Sequence, residues 1–162
     1  MKILTFSLAI LVLLFSSCKK SNSESAPQQS KVIVVKNGVQ WTETRATGTL
    51  NTNNHMVAIS ITQDTETFTF IFPKPIDTDA QKKFEAYSLI VPAIGMASIS
   101  DSYHLDTSKS NSLTILAFDY ITNRLVGKFQ LNLKQDDSYV DGTAKSSVFE
   151  GEFDMKFDEQ AL

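Results

Sequence analysis

The sequence predicts an all-β domain, a single antiparallel β-sandwich or open barrel of about ten short strands, placed after a cleaved N-terminal signal peptide. Three observations carry this. Leu125, Gly127, Phe129, Leu131 and Leu133 alternate with Arg124, Val126, Lys128, Gln130 and Asn132, so one pleat face is apolar and the other mostly polar. The same alternation returns at Phe149, Gly151, Phe153, Met155 and Phe157, interleaved with Glu150, Glu152, Asp154 and Lys156. In both runs a Gly precedes a Phe on the core-facing side, where a missing side chain leaves room for a bulge, a bend or a closely approaching neighbour. Finally, turn-forming clusters recur about every eight to twelve residues, and no convincing long helical pattern follows the N-terminal apolar run.

Residues 1–17 have the parts of an export signal: Lys2 as the charged start, an apolar run from Ile3 to Phe15, and the small residues Ser16 and Ser17. The run is too short to span a bilayer comfortably. Cys18, the only cysteine of the 162 residues, follows at once. Residues 18–30 read as that cysteine and a flexible tether: Lys19–Ser30 has almost no apolar residue and no periodicity, and a random coil of this length reaches about 20 Å. Residues 31–162 form one domain, large enough to bury a core without staples.

Within it, Asn37-Gly38 between two β-rich runs predicts a type I′ hairpin, with Trp41 on the core side. Ala46–Leu50 and Met56–Thr62 flank a polar turn cluster and read as the next two strands. Phe68, Phe70 and Phe72 then share one face of a strand ended by Pro73 and Pro75. Ile76–Pro92 is the least regular stretch, and Phe84 and Tyr87 fall at a spacing that allows a short helix over 80–87. Gly95–Tyr103 suggests a strand, His104–Asn111 a loop, and Leu113–Phe118 a nearly continuous apolar strand. Gln135–Gly142 reads as a polar turn before the closing strand.

The segment Phe15-Ser16-Ser17-Cys18 resembles the lipobox of bacterial lipoproteins, with Phe where Leu is usual. The resemblance implies acylation of Cys18, and several acyl chains anchor stably where one would not. In the domain, Ser112-Leu113-Thr114-Ile115 with Asp119, then Asn123–Phe129, then Val148-Phe149-Glu150-Gly151-Glu152-Phe153, is similar to the pattern of a group of small lipoproteins of Bacteroidota. There a strand ends in an acidic turn, a Gly-x-Phe strand returns and a final Gly-x-Phe strand closes the domain. An early Asn-Gly followed by Trp is matched by Asn37-Gly38 and Trp41. This second resemblance spans most of residues 32–157 and implies an all-β domain with a lipid anchor, but no activity. In many lipoproteins of that phylum an acidic run after the cysteine directs surface export. Lys19-Lys20-Ser21-Asn22 stands here instead, so the expectation is an outer-membrane position facing the periplasm.

Chemistry is sparse. Without Lys2, 14 basic residues face 18 acidic ones, a formal charge of −4 with no basic block, which argues against a nucleic-acid partner. With Cys18 acylated no thiol remains for disulfides, catalysis or metal ligation. His55 and His104, both in expected turns, give neither a zinc spacing nor a hydrolase signature. Asp136, Asp137 and Asp141 beside Gly142 suit a hairpin turn better than a calcium loop. No cofactor or metal is expected. Glu150 and Glu152 sit two apart on one strand face, about 6–7 Å between their backbones by strand rise, a spacing that overlaps glycosidase carboxylate separations. The reading with fewer assumptions is a polar strand face balanced by lysines across the ladder. Tyr103, Tyr120 and Tyr139, in or beside expected loops, are the candidate ligand contacts. The chain is thus expected to be a membrane-anchored, non-catalytic module binding a glycan or an envelope protein. The alternative is a carboxylate-dependent hydrolase acting on glycans.

Overall fold

The computed structural model describes residues 31–42, 44–91, 101–136 and 143–161. They form β1 (Lys31–Lys36), β2 (Val39–Gln40), β3 (Arg45–Asn51), β4 (Met56–Gln63), β5 (Glu66–Pro73), β6 (Glu85–Ile90), β7 (Asp101–Leu105), β8 (Ser112–Asp119), β9 (Arg124–Gln135), β10 (Ser146–Lys156) and β11 (Asp158–Gln160). No helix occurs among the described residues. The strands make one sheet, ordered β11-β3-β4-β5-β6-β7-β9-β10-β1-β2, with β8 attached to β9 beside that path. Every pairing is antiparallel except β11 on β3.

Among the described residues the path is not closed by a ladder, yet the sheet curls back on itself. Only Phe157 separates β10 from β11, although these strands lie toward opposite ends of the path. The result is an open barrel flattened into two facing layers. Phe68 of β5 stacks on Phe149 of β10 with ring centroids 4.2 Å apart, and Phe70 meets Phe129 at 5.0 Å and Phe153 at 5.7 Å. None of these pairs joins neighbouring strands, so they are contacts across the core. Trp41 packs edge-on against Phe149 at 5.5 Å, on the core side as expected.

The two Gly-x-Phe runs interlock. In the β9–β10 register Gly127 lies opposite Phe153, and Gly151 lies opposite Phe129. A Cβ on Gly127 would sit 2.4 Å from the Phe153 ring and 2.7 Å from the Thr114 carbonyl oxygen, and one on Gly151 would sit 2.0 Å from the Ile33 carbonyl oxygen. Each glycine is therefore the seat of the other strand's ring, and the close approach permitted by the sequence is a backbone and an aromatic edge.

The helix expected over 80–87 is not formed. Residues 85–90 are β6, paired with β5 on one side and β7 on the other. The reason is packing: Ala86 lies opposite Phe70 and Ser88 opposite Phe68, so large rings on β5 admit only small inward residues on β6. Tyr87 and Leu89 consequently face outward, partly exposed, and the usual polarity of the alternation is reversed. His104, expected in a loop, belongs to β7. The expected strand over Gly95–Tyr103 survives as Asp101–Leu105, residues 92–100 lying outside the described ones. Between β5 and β6, Ala80 bridges Thr114, and Gln81 N–H donates to the Leu113 carbonyl at 2.7 Å, covering the free edge of β8.

The barrel has two distinguishable ends. At the Asn37 end, Asn37 and Gly38 have φ of 52° and 80°, as a type I′ turn requires, and the Asn37 side chain accepts from Val148 N–H at 2.8 Å. At the Lys31 end lie the β3–β4 turn, Pro73 to Ile76, the β8–β9 turn and the Phe157 corner. Phe157 N–H donates to the Asn123 carbonyl at 2.9 Å, and Lys74 N–H to that of His55 at 2.8 Å.

Near this end Arg124 grips Asp154 with two charge-assisted bonds, Nε to Oδ1 at 2.7 Å and Nη2 to Oδ2 at 2.6 Å. The hydrogen bond from Arg124 holds the Asp154 carboxyl below its ordinary value of 3.8. A depressed carboxyl adds stability that is complete above its unfolded value and is lost as pH falls through the folded one. Arg124→Gln is therefore expected to lower the melting temperature at neutral pH, by an amount that shrinks on acidification below about 3.8. Thermal melts of both proteins across that range check it; a difference that stays constant into strong acid would assign the loss to packing.

Candidate functional site

The strand alternation that buries Phe129, Phe149 and Phe153 turns Lys128, Gln130, Glu150 and Glu152 to the outer face of β9 and β10. Lys128 lies opposite Glu152 and Gln130 opposite Glu150 in the ladder, while Ser112 of β8 lies opposite Gln130 on the other side of β9. Between the two glutamates Gly151 faces the core, so the outer surface there is strand backbone alone. The result is a groove of about 420 Å³ lined by Ser112, Lys128, Phe129, Gln130, Glu150, Gly151 and Glu152. A smaller cleft of about 220 Å³ adjoins it through Glu152 and runs toward Lys31, with Ile33, Leu116 and Val126 on its walls. Leu116, half exposed, sits where β8 slips register between Ile115 and Ala117.

This groove offers donors and acceptors on a rigid floor, but its carboxylates are arranged on one side. Glu150 and Glu152 both rise from β10, and no carboxylate faces them from the β8 and β9 walls. Glycosidases need their two carboxyl groups to flank the scissile bond. The groove therefore suits holding a polar ligand better than cleaving one.

The three tyrosines separate. Tyr103, expected beside a loop, is a buried residue of β7 and is no surface contact. Burial, then Asp101 and Glu66, push its phenol above the ordinary value. Tyr120 sits in the β8–β9 turn, partly exposed, with its hydroxyl donating to the Pro75 carbonyl, Phe118 at 4.7 Å and Lys74 Nζ 4.4 Å from its ring centre. Tyr139 lies outside the described residues, as do Asp137 and Asp141.

A polar cluster that sequence reasoning did not single out occupies the inside of the barrel at the Asn37 end. Lys36 Nζ meets both oxygens of Glu66, at 2.8 and 2.6 Å, and Ser88 Oγ donates to the same carboxylate at 2.5 Å. Lys36 also lies 5.4 Å from the Phe149 ring centre. The signal was present: Lys36 continues the inward phase of Val34, and Glu66 that of Phe68, Phe70 and Phe72, so two opposite charges point into one core. Each satisfies the other, and the pair joins β1 to β5 across the core.

The histidines are far apart in the fold. His55 occupies the β3–β4 turn with φ of 57°, and His104 lies on β7 with Nδ1 3.3 Å from Asp136. Among the described residues no group of three metal-ligating side chains comes together. Searches of protein-family models, characterised proteins and solved structures find no match to the chain.

Proposed function

We propose that the chain is a membrane-anchored lipoprotein, acylated at Cys18, whose all-β domain is a non-catalytic binding module of the cell envelope on the periplasmic face of the outer membrane. The observation that carries the binding part is the groove over Gly151, where Lys128, Gln130, Glu150 and Glu152 stand on adjacent, fully paired strands. Such a site recognises hydroxyl-rich or charged groups, as on an envelope glycan or a protein loop, at little ordering cost because the strands are already fixed. The one-sided placement of the carboxylates favours this over hydrolysis. The anchor rests on the export-signal pattern before Cys18 and on the polar composition of residues 19–30.

A panel of envelope glycans tests it, with wild type, Glu150→Gln and Glu152→Gln each assayed for binding and for release of reducing ends. Both variants are expected to keep stability within about 0.5 kcal/mol of wild type, since each charge stands on a solvated strand face. Retention of a glycan by wild type, weakened in the variants and without cleavage, is the expected result. Hydrolysis by wild type that disappears in either variant would replace the binding reading with an enzymatic one, because acid–base catalysis contributes about 10²–10⁴ in rate.

A further inference from the structure

We infer that the Lys31 end of the barrel docks on the lipid bilayer through Ile76 and Ile121. These are the two most exposed large apolar side chains among the described residues, 86% and 96% accessible. They belong to one tip: Ile76 follows Pro75, whose carbonyl accepts from the hydroxyl of Tyr120, the residue before Ile121. The tip is held in shape. Asp119 Oδ1 accepts from Ile121 N–H at 2.8 Å, its Oδ2 accepts from Thr122 Oγ1 at 2.8 Å, and Asn123 closes the turn with φ of 54°. Lys74, two residues before Ile76, places its ammonium 4.4 Å from the ring centre of Tyr120, the neighbour of Ile121. An aliphatic point backed by a phenol and an ammonium matches the layering of a membrane interface, where apolar groups enter the acyl region while Tyr and Lys stay among the headgroups.

The occupant follows from where the chain leaves the domain. Lys31 pairs with Asp154, beside the same β8–β9 turn, and Cys18 is thirteen residues upstream. The inference therefore rests on the reading of Cys18 as a lipid anchor. A tether of that length holds the tip at an effective concentration of the order of millimolar to the surface, so two isoleucines suffice where a free protein would bind too weakly to matter. With this end down, the groove over Gly151 stands on the side of the barrel, open to the aqueous phase.

The test places an environment-sensitive fluorophore on Thr78→Cys, beside the tip, or on Val39→Cys, which is exposed at the opposite end. With Cys18 acylated, each variant has one free thiol. The acylated chain is reconstituted into phosphatidylcholine vesicles containing a spin-labelled lipid. The label at 78 is expected to shift to shorter wavelength and be quenched, while the label at 39 stays in water. Ile76→Ser together with Ile121→Ser, both at exposed positions, is expected to weaken docking about a hundredfold and restore the fluorescence. Equal quenching at both ends, quenching at neither, or indifference to the serine pair in an acylated chain overturns the docking inference alone. A chain whose Cys18 carries no acyl group by mass spectrometry overturns the anchor and the docking together.

Discussion

Gly151→Ala is expected to destabilise the domain by about 3 kcal/mol or more, the upper range for forcing an extra methyl group into a packed site. The new Cβ would lie 2.0 Å from the Ile33 carbonyl oxygen and 3.0 Å from the Phe129 ring. A ring can rotate away, but a carbonyl in the β1–β10 ladder cannot move without breaking the pairing of Val34 with Gly151. The loss should therefore appear as partial detachment of β1, seen as faster amide exchange along Val32 to Lys36 as well as a lower denaturation midpoint. Gly38→Ala supplies the contrast. Nothing lies within 4 Å of a Cβ there, and only its φ of 80° opposes a side chain, a cost of about 1 kcal/mol. Equal effects at the two glycines would mean that close approach at Gly151 is not what fixes it.

Phe153→Ala and Phe129→Ala are each expected to cost about 3–5 kcal/mol. Both rings are buried, both contact Phe70 across the core, and each covers the glycine of the opposite strand. Emptying either site opens a cavity between the layers that the paired strands cannot collapse to fill. Against a total stability of about 5–15 kcal/mol, either variant would sit near the edge of folding at body temperature. Urea titrations give the values; midpoints indistinguishable from wild type would mean that these strands contribute little to the core.

The strands that alternate large apolar with polar residues were legible because one face is buried and the other wet. β9 and β10 are of this kind, as their burial confirms, whereas β4 and β5 alternate in the same way although none of their outer residues is exposed and Thr69 is buried. β6 was not legible, because its inward positions are Ala86 and Ser88, small to admit Phe70 and Phe68, and its larger residues face out. That information resides in β5, not in β6 itself. The interlock of the two Gly-x-Phe runs was half legible: the glycines announced a close approach, but the register that seats each Phe over the other Gly is a property of the pair.

The functional surfaces divide in the same way. Glu150 and Glu152 were legible as an outward pair, whereas the one-sidedness of their groove required knowing that Lys128, Gln130 and Ser112 form its other walls. Tyr103 borders the polar run His104–Asn111, which reads as a loop in the sequence; β7 extends to Leu105 and carries the ring inward. Ile76 and Ile121 stand 45 positions apart and have no evident relation in the sequence. The bond from Tyr120 to Pro75 and the Lys74 ammonium over the Tyr120 ring bring their turns together.

The central claim, a folded β domain acting from a lipid tether, is tested most directly by expressing wild type and Cys18→Ser in an envelope-bearing host and separating membrane from soluble fractions. Wild type is expected in the membrane fraction with acyl mass on its N-terminal cysteine. The serine variant is expected in the soluble fraction with an unchanged melting temperature, since position 18 lies thirteen residues before the first strand at Lys31. Tight membrane retention of the serine variant, or a wild-type Cys18 without acyl groups, would contradict the account.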